Sequence, residues 1–268
     1  MDPRVPEPPD SPRLFRPRRV GEILAHAFEI YRQRWQNLFA LVAVIVVPLV
    51  AIQTILTQSV VNNVTDSGVV IDSGSRASSA LAGLGVAVLS ILMWTVLTGA
   101  ITRAAAGTFL GRDMDIAESY RFGLAQFWSI VLIGLLAALA IGVGFLLLVI
   151  PGFIVLTRLS CSLPSLVLED KHGTKALSRS WDLVAGFGWH VFGTIIVSAF
   201  LTGIVSSILT TPFRDNALLY FITQSIASII TMPYMALVGI LIYFDLRVRK
   251  ERYSPEDLER ELARTATP

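Results

Sequence analysis

The sequence predicts an all-α membrane protein, a polytopic six-helix transmembrane bundle with three amphipathic arms lying in the cytoplasmic interface. Hydrophobic residues make up 53% of the 268 and charged residues only 16%, where soluble domains carry roughly 25% charged residues. Apolar runs of about 20 residues recur, the length that crosses a hydrocarbon core of roughly 30 Å. Because backbone groups in lipid must pair internally, these runs are expected to be helices.

Six apolar runs divide the chain. Residues 1–19 hold six prolines and five arginines and are predicted to form a disordered cytoplasmic tail. Residues 20–246 form one membrane domain, and residues 247–268 form a charged cytoplasmic C-terminal tail containing a short helix that starts at Pro255. Pro48 is expected to kink the first run. The predicted spans are residues 38–60, 78–102, 129–150, 153–168, 189–211 and 218–245.

Three arms, residues 20–35, 103–128 and 169–188, precede the first, third and fifth spans. Apolar residues in the first arm recur at helical spacing, which fits either a helix in the membrane interface or one packed on protein. An aliphatic residue stands twelve positions before the last tryptophan of each unit, which suggests a three-unit repeat. Alternatively, the arms are independent and tryptophan simply favours the interface. The predicted interfacial anchors are Trp35, Trp128, Trp181 and Trp189.

Positive charge is distributed very unevenly between the two predicted sides. Of the 22 lysines and arginines, all but Arg76, Arg158 and Arg214 fall on the side that holds the termini and arms. Basic residues accumulate on the cytoplasmic side of membrane proteins. Both termini and all three arms are therefore predicted to be cytoplasmic, and contact with anionic lipid headgroups is expected there.

Arg158 is the main candidate site residue, because it stands inside the fourth and shortest span. A charge in mid-membrane costs roughly 3 kcal/mol on insertion scales, so it usually faces protein or water. Its polar neighbours Ser160 and Ser162, with Pro164, make this the most polar span. These four residues fit a substrate or ion path. They also fit a structural arginine that bonds carbonyls freed by the proline or reaches out to the interface.

Three acidic residues, Glu169, Asp170 and Asp245, stand at the predicted cytoplasmic ends of spans. They are expected to be solvated edge charges paired with nearby cations. The predicted cations are Lys171, Lys175 and Arg247.

Catalytic and metal-binding motifs are missing from the sequence. His26, His172 and His190 do not have the spacing of a metal site, and the single Cys161 cannot form an intrachain disulfide or a cysteine cluster. There is no P-loop and no GxSxG motif. The sequence therefore predicts no cofactor and no metal. A nucleic-acid partner is not expected either, because the basic residues flank apolar runs and form no separate domain.

Four segments give the chain a family resemblance: RVGEILAHAFEIYR, IPGFIV with LPSLVLED, KALSRSWDLVAGFGWHVFG and MPYMALVGILIYFDLRVRKE. They resemble the membrane domain that accompanies some bacterial glycerophosphoryl diester phosphodiesterases and occurs alone in actinobacteria. The resemblance spans about residues 16–262. It implies a six-span fold in a bacterial plasma membrane without phosphodiesterase activity, because nothing here resembles the separate hydrolase barrel.

Three hypotheses for function follow. The first is a non-enzymatic membrane protein that organises lipid or a membrane or cytoplasmic protein partner through its arms. The second is a transporter or exporter of a small or amphipathic molecule, with Arg158 in a path formed by the fourth to sixth spans. The third is an intramembrane enzyme that modifies lipid, which would need acids or histidines near Arg158.

Overall fold

The computed structural model describes residues 17–66, 85, 88, 99–103, 121 and 126–266, and all regular structure in these residues is helical. Most of the second predicted span and second arm lies outside the described residues, as do residues 1–16. The helices are numbered here in chain order. They are α1 (Val20–Asp66), α2 (Phe127–Leu147), α3 (Val149–Leu159), α4 (Ser162–Glu169), α5 (Thr174–Val184), α6 (Gly188–Thr210), a 3-10 turn (Thr211–Phe213), α7 (Ala217–Glu251) and α8 (Pro255–Ala266).

Four helical segments are long and apolar enough to cross a membrane. They are Phe127–Leu147, Val149–Glu169, Gly188–Phe213 and Leu218–Glu251, and a bent pair, Val20–Val44 with Val46–Ile52, would make a fifth. The all-α fold, with four helices long and apolar enough to span a membrane, is therefore confirmed for the described residues. Six spans and the threefold repeat stay predictions.

In α1 the first predicted arm and the first span follow one another as two helical segments joined at a kink. Arg34 departs from helical geometry (φ −120°, ψ 20°), directly before Trp35, where the arm was predicted to end. A second bend of 42° follows Val44. Pro48 accounts for it, because proline has no N–H to donate to the carbonyl four residues earlier.

The core is built around α7. Buried residues of α1 recur at nearly every fourth position, and the tyrosine rings of Tyr31 and Tyr234 meet edge to face at 6.4 Å. Phe28 and Trp35 of the same helix stay exposed. The first arm therefore packs on protein along one edge, as one of the two alternatives predicted, and leaves an aromatic edge open; its location in the membrane interface stays a prediction. The α1 residues buried in the core are Ile23, Ala27, Ile30, Leu38, Val42, Val46 and Val50.

Helices α2 and α3 form a tight hairpin with a single extended residue, Leu148, between them (φ −164°, ψ 153°). Two glycines allow the close approach. A Cβ on Gly144 would lie 3.0 Å from the Gly152 Cα, and a Cβ on Gly152 would lie 2.4 Å from Cγ of Phe145. Phe145 and Phe153 pack edge to face beside them, with ring centroids 5.2 Å apart.

The fourth predicted span is two helices, α3 and α4, with a break at Ser160 and Cys161. Pro164 explains the position of the break, because it cannot donate a hydrogen bond to the carbonyl of Ser160. Pro164 is the third residue of α4, where a backbone N–H has no partner within the helix in any case. The proline therefore starts a new helix and does not kink a continuous one.

The C-terminal residues predicted to form a charged tail belong to the packed structure. Residues up to Glu251 continue α7, which ends at Arg252 in a left-handed conformation (φ 53°). Helix α8 then starts at Pro255, as predicted, and Leu258 is fully buried. Ser254 and Asp257 cap α8 reciprocally, since each backbone N–H donates to the other's side chain, at 3.0 and 3.4 Å.

We expect Gly152→Ala to lower the stability of the α2–α3 hairpin by about 1–3 kcal/mol, because the new methyl group overlaps the Phe145 ring. The matched control is Gly142→Ala in α2, where a Cβ meets nothing within 4 Å. This control should be neutral or stabilising by up to about 1 kcal/mol. Denaturant unfolding in detergent micelles measures both variants. Equal stability of the two would refute the tight glycine contact.

Candidate functional site: the charged end of the bundle

The last turns of α7 carry two polar stripes on different faces. Tyr243, Arg247 and Glu251 follow one another at four-residue spacing, and Asp245 and Arg249 do the same. Side chains four residues apart share one face of a helix, whereas side chains two apart do not. Each stripe therefore meets different helices. We call the region where they meet the charged end: α4, α5, α8, the end of α7 and the start of α1.

The first stripe closes a ring of five side chains. The Nε of Arg179 lies 2.8 Å from Glu169 Oε2, and its Nη2 lies 2.5 Å from Glu251 Oε1. The Nε of Arg247 donates to Glu251 at 2.9 Å, and its Nη1 donates to the Tyr243 hydroxyl at 3.0 Å. The Tyr243 hydroxyl in turn donates to Glu169 at 2.8 Å. The ring therefore links α4, α5 and α7.

Helix α8 is attached to this ring through Arg247. Its Nη1 donates to both oxygens of Glu261 at 2.8 and 2.9 Å, and its guanidinium stacks 3.8 Å from the centre of the Tyr253 ring. The Tyr253 hydroxyl donates to Glu261 at 2.7 Å. Burial and then the charge of Glu261 raise the pKa of Tyr253, so the hydroxyl keeps its proton at neutral pH.

Arg179 remains charged in spite of its environment. Partial burial favours loss of the proton, but hydrogen bonds and charge from Glu169, followed by those from Glu251, outweigh it and raise the pKa of Arg179. The cluster contains three carboxylates and three cations, so its formal charge is balanced. The carboxylates are Glu169, Glu251 and Glu261, and the cations are Lys171, Arg179 and Arg247.

The second stripe ties α7 to the start of α1 and of α6. The side chain of Asp245 is only 1% exposed and lies 2.7 Å from the Nε of Arg249. It also accepts a hydrogen bond from the backbone N–H of Arg18 at 2.6 Å. Arg249 donates back to the Arg18 carbonyl and stacks on the Phe187 ring at 5.5 Å. His190 Nε2 is 3.2 Å from Asp245, a close approach without hydrogen-bond geometry.

The prediction of solvated edge charges is therefore wrong for two of the three acids. The Glu169 side chain is 8% exposed, although its predicted partner Lys171 does lie 3.1 Å away. Asp245 pairs with Arg249 and not with Arg247, because two residues along a helix point to different faces. Asp170 is exposed, as predicted, but the neighbour of its carboxylate is the His172 ring at 3.6 Å and none of the three predicted cations.

Arg158 lies beside the amphipathic helix α5. Its Nη1 donates to the Trp181 carbonyl at 3.2 Å, and the guanidinium stands 5.3 Å from the centre of the Trp181 ring. The hydroxyls of Ser160 and Ser162 donate to carbonyls three residues earlier, of Thr157 and Leu159. These contacts support the structural interpretation of the predicted site.

Ser180 is a residue that the sequence did not single out. Its hydroxyl donates to the Arg158 carbonyl at 2.7 Å and accepts from the Cys161 N–H at 3.0 Å. It therefore bridges the break between α3 and α4 with two hydrogen bonds from α5. A buried serine in a helix of mixed polarity carries no distinguishing sequence signal.

The predicted interfacial anchors all have exposed indoles. Trp35, Trp181, Trp128 and Trp189 are 47%, 42%, 80% and 87% exposed. Trp128 and Trp189 stand in the first turns of α2 and α6, where each apolar helix begins. Among the described residues no group of three metal-ligand side chains is present.

We expect Arg179→Met to destabilise the protein by about 2 kcal/mol, because Glu169 loses two charge-assisted hydrogen bonds while it stays buried. A double-mutant cycle with Glu169→Gln should give a coupling free energy of about 1–2 kcal/mol. The control is Arg260→Ala, which removes a pair whose arginine is 67% exposed and should cost less than about 1 kcal/mol. Additive effects of Arg179→Met and Glu169→Gln would contradict the ring.

A family model described as a domain of unknown function (DUF7847) matches residues 116–244. The matched segment contains α2 to α6 and most of α7, and ends one residue before Asp245. No curated protein and no solved structure matches the chain. The resemblance to the phosphodiesterase-associated membrane domain stays a prediction, and the chain's similarity is to a domain without an assigned function.

Proposed function

We propose that the chain is a non-enzymatic integral membrane protein that organises anionic lipid or a protein partner at its charged end. The closed ring from Glu169 to Tyr243 supports this proposal, because its acids and bases pair with one another. A catalytic site needs an acid, base or nucleophile that is free to meet a substrate. The ring instead holds α4, α5 and α7 in one fixed arrangement, which is the requirement for a platform.

The charged end is proposed to face the cytoplasm, with both termini and the three arms on that side of a bacterial plasma membrane. Arg179, Arg247 and Arg249 belong to the charged end, whereas the turn between α6 and α7 holds a single cation, Arg214. This distribution follows the positive-inside tendency. The resemblance to a bacterial membrane domain also supports the location and the presence of six apolar segments.

Two exposed cations at the charged end are suited to lipid headgroups. Lys175 lies on α5 with the exposed Trp181, and Arg252 follows the end of α7. Basic residues near the membrane surface attract anionic lipid by roughly 1 kcal/mol each. Neither residue belongs to the ring, so both can be changed without breaking it.

We expect Lys175→Gln combined with Arg252→Gln to reduce the enrichment of phosphatidylglycerol around the protein, by roughly fivefold per residue at low salt. Lipid retained by the purified protein from mixed phosphatidylglycerol and phosphatidylcholine membranes is counted by mass spectrometry. The control is Arg214→Gln at the opposite end, which should leave retention unchanged on the proposed orientation. Equal retention by all variants would contradict lipid organisation at the charged end.

A transporter is the second candidate, and one observation favours it. Polar residues recur at every fourth position along α6, and the first of them lies beside the buried Asp245. A continuous polar face in a membrane helix can line a solute path. However, the hydroxyls of Thr194, Ser198 and Thr202 donate to carbonyls four residues earlier, at 2.6–2.9 Å. The residues of this stripe are His190, Thr194, Ser198, Thr202, Ser206 and Thr210.

We expect proteoliposomes of the wild-type protein to hold a pH gradient as well as protein-free vesicles, because these hydroxyls already use their protons within the helix. An internal pH-sensitive dye reports the gradient. Flux that disappears in Thr194→Val with Ser198→Ala, but persists in the exposed control Ile208→Val, would replace the platform with a transporter. The intramembrane enzyme gains no support from Arg158, whose described side-chain contacts are to Trp181.

A further inference from the structure

The turn of the α2–α3 hairpin has no polar side chain. Residues 146–150, here called the hairpin tip, are three leucines, a valine and an isoleucine, and each is 61–86% exposed. Five consecutive large apolar residues at this exposure form a patch that water disfavours. The tip therefore has to be covered by protein or by lipid.

The backbone of the tip is suited to an apolar solvent. Only Leu148 is non-helical, and its N–H donates to the Gly144 carbonyl at 3.1 Å while its carbonyl accepts from Gly152 at 3.2 Å. Pro151 removes one of the free N–H groups that a helix start would otherwise expose. Backbone groups in hydrocarbon must be paired within the protein, and this turn leaves few of them unpaired.

The turn between α6 and α7 has the opposite character. It contains Arg214, Asp215 and Asn216, which are all exposed, and the Asn216 side chain caps α7 by accepting from the Leu219 N–H at 3.0 Å. Charged side chains at a turn between two long apolar helices place that turn in water. The two hairpins of the described structure therefore end in different environments.

Aromatic contacts place the tip beside the first half of α6. The rings of Phe153 in α3 and Phe192 in α6 are 5.7 Å apart, and Phe192 also packs on the exposed Trp189. Phe192 is three residues from Trp189, about 4.5 Å along the helix, and Leu148 is five residues from Phe153, about 7.5 Å.

This distance is short compared with the span that α6 provides. The segment Gly188–Phe213 has 26 residues and is about 39 Å long. The axial distances from Trp189 to Phe192 and from Phe153 to Leu148 add up to about 12 Å. Adding the full 5.7 Å between the two ring centroids still places the tip less than halfway along α6. The hairpin tip thus lies well short of the polar α6–α7 turn.

The other end of α3 supports the same placement. Arg158, near the last residue of α3, bonds the Trp181 carbonyl of α5, and the neighbouring carbonyl of Asp182 accepts from Lys250 Nζ at 2.5 Å. Lys250 stands five residues beyond the buried Asp245, toward the charged end. The eleven residues of α3, about 16 Å, therefore run from the hairpin tip to the contact of Arg158 with α5.

We propose that the α2–α3 hairpin is re-entrant: its tip turns within the acyl chains of the membrane, without reaching the opposite aqueous side. This inference rests on the proposed membrane orientation. It reduces the six crossings predicted from the sequence to four and leaves every arm on its predicted side. The occupant of the exposed tip is lipid hydrocarbon, because the tip joins two helical segments that are long and apolar enough to lie in a membrane and is itself apolar and exposed.

Single-cysteine labelling tests the proposal. In a Cys161→Ala background, cysteine replaces Leu148 at the hairpin tip, Asp215 at the α6–α7 turn, or Ser178 on α5. We expect a membrane-impermeant maleimide to label only the Asp215→Cys variant in intact cells, and both it and the Ser178→Cys variant in opened membranes. The Leu148→Cys variant should stay unlabelled in both.

A depth measurement completes the test. The Leu148→Cys variant is labelled with a fluorophore in detergent and reconstituted, and we expect quenching by nitroxide lipids and not by aqueous iodide. Labelling at residue 148 at the rate seen at residue 215 would overturn the re-entrant hairpin. A fluorophore that neither quencher reaches would also overturn it, by showing protein over the tip.

If the proposed membrane orientation is wrong, the maleimide labelling pattern is different. Labelling at residue 178 but not at residue 215 in intact cells would reverse the proposed sidedness, while lipid quenching at residue 148 would still report a membrane-embedded tip. The two proposals are therefore tested separately by one set of variants.

Discussion

The buried carboxylate of Glu169 is the constraint around which one end of the molecule is assembled. Removing an ion from water costs several kcal/mol even after the protein relaxes, so a buried carboxylate needs cations and hydrogen-bond donors. Glu169 ends α4, and α4 itself supplies none of them. The donors come from Arg179 on α5 and Tyr243 on α7. Satisfying this one group therefore fixes three helices relative to one another.

The spacing of polar residues explains why α7 is the centre of that assembly. Its last turns place Tyr243 and Arg247 on one face and Asp245 and Arg249 on another. The first face recruits α4, α5 and α8, and the second recruits the starts of α1 and α6. A 35-residue helix, about 52 Å long, is long enough to cross the hydrocarbon and still present these turns beyond it. The apolar part of α7 packs against neighbouring helices, and the polar side chains of its last turns determine which helices lie beside those turns.

The sequence predicted features whose cause is local. Apolar run length predicted the helices, Pro48 predicted the bend in α1, and Pro255 predicted the start of α8. The environment of Glu169 and Asp245 was not predictable, because their burial depends on α5 and on the Arg18 backbone, which are distant in the chain. The role of Ser180 was not predictable for the same reason, since it depends on the helix break that Ser180 bridges. Pro164 predicts an interruption of the fourth span, but the resulting arrangement, a helix break with Arg158 beside α5, depends on the tertiary structure.

The same reasoning explains why charge asymmetry does not determine how many times the chain crosses the membrane. A hairpin that spans the bilayer twice and one that turns within it both return the chain to the starting side. Lys171, Lys175 and Arg179 therefore satisfy the positive-inside tendency in either case. The polarity of the turns differs where the charge count does not, since the turn at Leu148 is apolar and exposed, whereas the α6–α7 turn carries Arg214 and Asp215.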